Sequence, residues 1–494
     1  MKLNKWLIRA IPIVLIFSMM IGTTGCSLYD TVESDSMVET NEVIKGTKGK
    51  KTDATTSTIT IEGPSTTIKS DGNNAASDIK ISDKSTSIEE GLDFKGKTFT
   101  IAMESGIADP AGQRLIAAFN KKFNCNLKME YITGYTTSVA NRLASGDPFD
   151  VCYMGTYRFP TEPIAGLYEP LNDLIYTADL EDKNNLSKGG FSMERSSNFV
   201  WNGNIYGVIG SQGWHSAAPV VIFYNKKMIS EAGAEDPRTL YEQGKWTWDK
   251  FKQIGKAVTN ASQKIYMANG KIYLRYFVGT NGATYVKWEN GKPIEDLTNT
   301  KLINAFQLLQ SMSTGANQII DKSTTWDAGP FIKGNIATWA GGEYEYYNNN
   351  QIAKNVMTSN AFGKSLDNLG IVPYPNGPDN GNNCYPYDDI NVFCAGSGTS
   401  DKRVAVALAK FASYYKDPVE NEYPMNSADQ KLINQLLQRT PLVHNYRGFS
   451  SSTTRISDLI QKMESEIGQG KDISKTLNDY KSSISNCIKA TMGN

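Results

Sequence analysis

The chain reads as an α/β protein set behind a segment of a different kind. Two observations carry this. Between Phe99 and Met154, short apolar runs of period two alternate with runs of helical period, and turn residues mark each change. The same alternation returns after Val221 without repeating the sequence.

Phe99–Met103 follows Gly96-Lys97 and reads as a strand, with Ile101 and Met103 on one face. Asp109-Pro110 marks a helix start, with Asp as cap and Pro in the first turn. Leu115, Ala118, Phe119 and Phe123 carry the helical period, and Asn124 is a left-handed stop. Leu127, Met129 and Tyr131 alternate as a second strand. A helix near Ser138–Ala144 is closed by Gly146-Asp147-Pro148, and Asp150–Met154 is a third strand ending at Gly155. Strand, helix, strand, helix, strand is a βαβαβ layout with a parallel sheet.

Farther on, Val221–Tyr224 reads as a strand. Thr247 caps a helix whose inner stripe is Phe251, Ile254, Gly255 and Val258. Phe331–Trp339 runs from a helix end through Gly334 into a strand, and Leu369–Val372 is another strand. Ser400-Asp401 caps a helix with Val404, Leu408, Phe411 and Tyr415 inside. Ala428–Met492 reads as helical, with a loop at Thr440–Thr453.

The first 26 residues differ from all of this. Lys2, Lys5 and Arg9 precede an apolar run from Ala10 to Gly22, and small residues lead to Cys26. That order is a secretory signal, and its core is shorter than the ~20 residues of a spanning helix. The segment resembles a bacterial lipoprotein signal, in which the cysteine is lipidated and becomes the new N-terminus. Residues 27–92 are about one-third Ser and Thr and contain no Trp, Phe or Cys. Such a segment cannot offset its ordering entropy, so it reads as a disordered tether. Its relaxed span is roughly 45 Å by flexible-linker scaling.

Charges balance at 51 Lys+Arg against 51 Asp+Glu, so nothing points to nucleic acid. Of six cysteines, five lie beyond Cys26, an odd number that cannot all pair internally. Buried free thiols are the expected state for most, with Cys384 and Cys394 the one pair flanking a turn. No close Cys or His spacing marks a zinc site, and Asp388-Asp389 falls short of a calcium set. No metal and no cofactor are expected. The chain has no Gly-x-Ser-x-Gly, His-Glu-x-x-His, P-loop or dinucleotide fingerprint. With two histidines it does not read as an enzyme; a glycoside hydrolase built on two carboxylates among Glu104, Glu343 and Asp388 is the remote alternative.

From Lys95 to about residue 450 the chain resembles the family 1 extracellular solute-binding proteins, the maltose-binding-protein-like group that serves ABC importers. The carriers are Gly146-Asp147-Pro148-Phe149-Asp150-Val151, Ala165-Gly166-Leu167-Tyr168-Glu169-Pro170-Leu171 and Asn202-Gly203-Asn204-Ile205-Tyr206-Gly207-Val208. Phe223-Tyr224-Asn225-Lys226, Trp246-Thr247-Trp248-Asp249, Phe331–Ala337 and Ile371-Val372-Pro373-Tyr374-Pro375 complete the series. Their order and spacing together make the match.

The resemblance implies a two-lobed, type II periplasmic-binding-protein-like α/β fold with the ligand in a cleft between lobes and the crossing segments as hinge. The lobes would be 95–212 with 371–416, and 213–370 with 417–494. It implies a monomeric receptor, held by lipid at the extracellular or periplasmic face of the cell membrane, that delivers a carbohydrate to ABC permease subunits. A stand-alone polysaccharide- or peptide-binding adhesion or sensing lipoprotein is the alternative that the long tether suggests.

Sugars need aromatic planes to stack on and planar polar groups to bond to. Strand ends supply the candidates. Glu104 is either a hydroxyl acceptor or a solvated loop carboxylate. Tyr157 and Arg158 match family contact positions, with a structural ion pair the other reading of Arg158. Trp214 is either a stacking face or hinge packing, and His215 a hydrogen-bonding lining residue. Trp339, Glu343 and Tyr344 follow a strand, with Gly341-Gly342 allowing close backbone approach, and Tyr387 with Asp388 forms a further cluster.

Overall fold

The structure, a computed structural model, describes residues 61, 63–68, 79–103, 110–182, 185, 188–210, 219–269, 273–289, 292–321, 327–347, 351–380, 384–386, 390–437, 439–442, 447–451 and 453–493. The signal segment 1–26 with Cys26, and the candidates Glu104, Trp214, His215, Tyr387 and Asp388, lie outside the described residues.

The expected tether ends earlier than Leu92. β1 (Ser65–Ile68) and β2 (Ile79–Ser82) form an antiparallel hairpin, and Ile79, Ile81 and Ile88 are buried. The physical reason is spacing: Ile79 and Ile81 share one strand face, and Ile88 adds to the same core. Main-chain and side-chain bonds fasten the segment, from Ser82 N–H to the Ile175 carbonyl at 3.1 Å and from Asn172 Nδ2 to the Lys80 carbonyl at 2.9 Å. Asp179, fully buried, accepts from the Ser87 hydroxyl at 2.6 Å and the Ile88 N–H at 2.7 Å, with Lys410 Nζ at 3.7 Å.

The βαβαβ unit follows as β3 (Lys97–Met103), α1 (Pro110–Phe123), β4 (Cys125–Tyr131), α2 (Tyr135–Ala144) and β5 (Val151–Gly155). α1 buries Leu115, Ile116, Phe119 and Phe123, carries Lys121 and Lys122 against its dipole, and stops at Asn124 with φ of 47°. β3 pairs in parallel with both β4 and β5. After β6 (Tyr168–Glu169), the chain leaves this sheet for a second one.

There, β7 (Val220–Asn225) is flanked antiparallel by β8 (Thr338–Gly342) and β9 (Leu369–Pro373). Between β7 and β8, the helix α3 (Trp248–Val258) is capped as expected, Thr247 Oγ1 accepting from Lys250 N–H at 3.4 Å. β10 (Asn391–Gly396) then returns to the first sheet and inserts antiparallel between β5 and β6, giving the order β4-β3-β5-β10-β6. The following helix is α4 (Arg403–Ala412). Asp401 caps its start as expected, its side chain accepting from the Arg403 N–H at 3.1 Å and its carbonyl from the Val404 N–H at 3.2 Å, and it also holds the Arg403 guanidinium at 2.8 and 2.6 Å.

Strand alternation splits the core in two. Ile101, Val151, Tyr153, Phe393 and Ala395 face α1 and α4 with Phe119 and Leu408. Ala102, Cys152, Met154, Val392 and Cys394 face the other way, in a core that continues through Phe223, Trp339 and Ile371 of the second sheet. Among the described residues no helix is long and apolar enough to cross a membrane.

One half-buried tie lends itself to a pH test. Arg114 of α1 grips Asp417 through two bonds of 2.7 and 2.5 Å, which hold the Asp417 carboxyl below its ordinary range. A depressed carboxylate contributes stability above its unfolded pKa and loses it as pH falls through the folded value. Asp417→Asn is therefore expected to be less stable than the parent near neutrality, with the gap closing as pH drops below the ordinary value of 3.8. Thermal melts across that range check it; a gap independent of pH contradicts it.

Candidate functional site

The candidates fall into two groups at the carboxyl ends of strands, where open α/β sheets place their ligands. The first follows β5. Residues Thr156–Arg158 form a 3-10 turn, and Thr156 N–H donates to the Ile390 carbonyl at 2.9 Å. Gly155 makes the turn possible: a Cβ there would lie 2.2 Å from the Tyr157 ring and 2.6 Å from Asn391 Oδ1. Tyr157 is half-buried, with the guanidinium carbons of Arg158 and Arg447 at 5.1 and 5.9 Å from its ring centroid.

Arg158 lies in a buried network. Its Nη1 donates to Thr136 Oγ1 at 2.6 Å and to Glu162 Oε1 at 3.2 Å, and its guanidinium stacks 4.4 Å over the Tyr135 ring. Glu162, 2 % exposed, also accepts from the Thr136 and Tyr168 hydroxyls. Burial, with the Glu162 charge adding to it, pushes the Tyr168 phenol well above its ordinary range, so it stays a donor. The ion-pair reading of Arg158 is thus present in the structure.

The second group follows β8. Trp339 is buried at 2 % exposure opposite Phe223, and its Nε1–H has no hydrogen-bond acceptor among the described residues. A Cβ on Gly341, two residues on and on the same face, would stand 3.8 Å from that nitrogen and 3.0 Å from Glu345 Cγ. Glu343 and Tyr344, both half-buried, begin a 3-10 turn, and Glu343 N–H donates to the Pro219 carbonyl at 3.2 Å. Tyr346 and Tyr347 close it with rings 4.8 Å apart. Burial, followed by the Glu343 charge among smaller causes, raises the Tyr347 phenol.

Sequence reasoning missed a second set of aromatics. Trp201 and Trp288 meet edge to face at 5.8 Å, and Trp288 lies 6.5 Å from Phe449. Trp201 precedes the Asn202-Gly203 turn, and Trp288 sits on the hairpin of Val286–Glu289 with Lys292–Glu295. The Asn290-Gly291 step in the sequence was the available signal. Among the described residues no cluster of three metal-ligating side chains occurs.

Residues 114–417, more than half of the chain, match the family model of bacterial extracellular solute-binding proteins. No curated protein matches the chain. Solved structures share the fold. An ABC substrate-binding protein from Listeria monocytogenes in complex with cycloalternan has a TM-score of 0.57 at 17% identity, over 81% of this chain and 99% of that one. A galacto-N-biose-/lacto-N-biose I-binding protein of an ABC transporter from Bifidobacterium longum, in complex with lacto-N-biose, has 0.58 at 14%, over 81% and 98%. The extracellular solute-binding protein from Staphylococcus aureus in complex with maltose has 0.56 at 14%, over 79% and 98%. The two sheets and their returning strand are thus the two-lobed architecture of these solved structures, and the chain belongs to the bacterial extracellular solute-binding protein family.

Proposed function

We propose that the chain is a lipid-anchored receptor that captures a carbohydrate between its lobes and delivers it to an ABC permease. The lobes in this reading are 95–212 with 371–416, and 213–370 with 417–494. Trp339 carries the site assignment. Its buried Nε1–H lacks an acceptor among the described residues, and Gly341, on the same face, puts no side chain of its own beside it. A buried unsatisfied donor is costly, and a sugar hydroxyl would satisfy it. Tyr157 and Tyr344, half-exposed, supply ring faces; Glu343 supplies an acceptor; Arg158 acts as a positioning residue beneath Tyr157. Glu104, Trp214, His215, Tyr387 and Asp388 complete the proposed lining on sequence grounds.

A thermal-shift panel of mono- and oligosaccharides tests the reading. A sugar at a hundred times its Kd should stabilise the protein by about 2.7 kcal/mol. Trp339→Phe keeps an aromatic ring but removes the N–H with the rest of the indole, so affinity should fall about tenfold or more, tenfold being the worth of about 1.4 kcal/mol. No shift with any sugar, but one with peptides, overturns the carbohydrate assignment. The anchor is tested separately: the mature N-terminus should begin at an acylated Cys26, and a mass spectrum with an unmodified Cys26 contradicts it.

A further inference from the structure

Cys152 and Cys394 lie more than two hundred residues apart in sequence, yet they are direct partners across the β5–β10 ladder. Main-chain bonds join Thr156 to Ile390 at 2.9 Å and Gly396 to Asp150 at 3.2 Å. By the alternation of an antiparallel ladder, Cys152 and Cys394 also occupy a hydrogen-bonded position, where Cα atoms stand ~5.5 Å apart. Disulfides bridge Cα separations of ~4.4–6.8 Å.

The side chains share a face. Cys152, Met154, Val392 and Cys394 all belong to one core, while Val151, Tyr153, Phe393 and Ala395 belong to the other. Both thiols are fully buried. In the structure both stand as free thiols. The remaining cysteines with described side chains are engaged elsewhere. Cys125 donates to Asn120 Oδ1 at 3.3 Å and Cys487 to the Thr454 carbonyl at 3.4 Å.

We propose that Cys152 and Cys394 close a cross-strand disulfide in the exported protein, locking the returning strand β10 onto β5. The family is extracellular, and disulfides form and persist in that compartment. The oxidant is the disulfide of an extracytoplasmic dithiol oxidase. One protein thiolate attacks it, forming a mixed disulfide and releasing one oxidase thiolate. The second protein thiolate attacks the mixed disulfide and releases the other. Two protons leave the cysteines and two electrons reach the oxidase, which ends as a dithiol. Burial pushes both thiols well above their ordinary pKa in the folded protein, so the exchange takes place while β10 docks, before the core closes over it.

The test uses the full chain, secreted through an oxidising compartment. It is denatured with an alkylating maleimide and no reductant, digested and mapped by mass spectrometry. The expected result is alkylated Cys125 and Cys487, with Cys152 and Cys394 joined in one peptide pair that separates on reduction. Alkylation of both Cys152 and Cys394 overturns the proposal, as does either one joined to Cys384. Because the unaltered chain is mapped, a variant that fails to fold does not blunt the test. In Cys152→Ala, Cys394 should become alkylated; Cys394 still protected there also overturns it.

Discussion

Glu162→Ala is expected to lower the stability of the fold by about 3–5 kcal/mol, the usual cost of removing one member of a buried ion pair. The substitution removes the Glu162 carboxylate from beside Arg158, which is 7 % exposed. It also removes the acceptor for the Thr136 and Tyr168 hydroxyls, both buried. The loss is therefore a charge effect compounded by two orphaned donors. Denaturant unfolding of the single variant should show a lower midpoint. Arg158→Met with Glu162→Leu should recover much of it, because a buried ion pair replaced by packed apolar groups is often close to neutral. If the double variant is as unstable as Glu162→Ala, the charge is not the cause.

Asp179→Ala should have an effect of the same order, about 3–5 kcal/mol, by the same logic applied to Lys410, 8 % exposed. The two substitutions differ in where the damage spreads. Asp179 also holds the Ser87 hydroxyl and the Ile88 N–H, so its loss unfastens residues 79–92 from the lobe. Hydrogen exchange should rise first along Ile79–Leu92 and leave β7–β9 protected. A uniform rise over both sheets would mean that Asp179 acts on the core at large and not as the clasp of this segment.

The local elements were legible in the sequence because local residues decide them. Asn124 stops α1 in the left-handed region, Thr247 caps α3, and the strands β3, β4 and β5 appear within two residues of where their alternation put them. The Arg158–Glu162 pair was not legible from its i,i+4 spacing, because Phe159, which is extended, and Pro160 separate the turn Thr156–Arg158 from the helix Thr161–Ile164. What escaped depends on distant partners. Strands β1 and β2 are four residues each in a Ser/Thr-rich stretch, and only the lobe surface around Ile175 gives Ile79 and Ile81 something to bury against. β10 carries the apolar run Val392–Ala395, but nothing near it in sequence says that it returns to β5. For the same reason the sequence suggested Cys384 as the neighbour of Cys394, when the residue across the ladder is Cys152. The proposed site was read as strand ends and aromatics; that the indole nitrogen of Trp339 has no acceptor among the described residues needed the packing of β8 on β7.

The position of β10 also has a consequence for biosynthesis. The first sheet has β3, β4 and β5 in hand as soon as Gly155 leaves the ribosome, but its fourth strand in spatial order is not made until synthesis passes Gly396. Until then the edge of β5 that β10 will cover stays open, and β6 has no strand to pair with. Contacts that must wait for such a long intervening stretch make folding slow. For a protein that works outside the cytoplasm this delay is useful, because a chain still unfolded when it is nearly complete can be threaded through a narrow translocation pore.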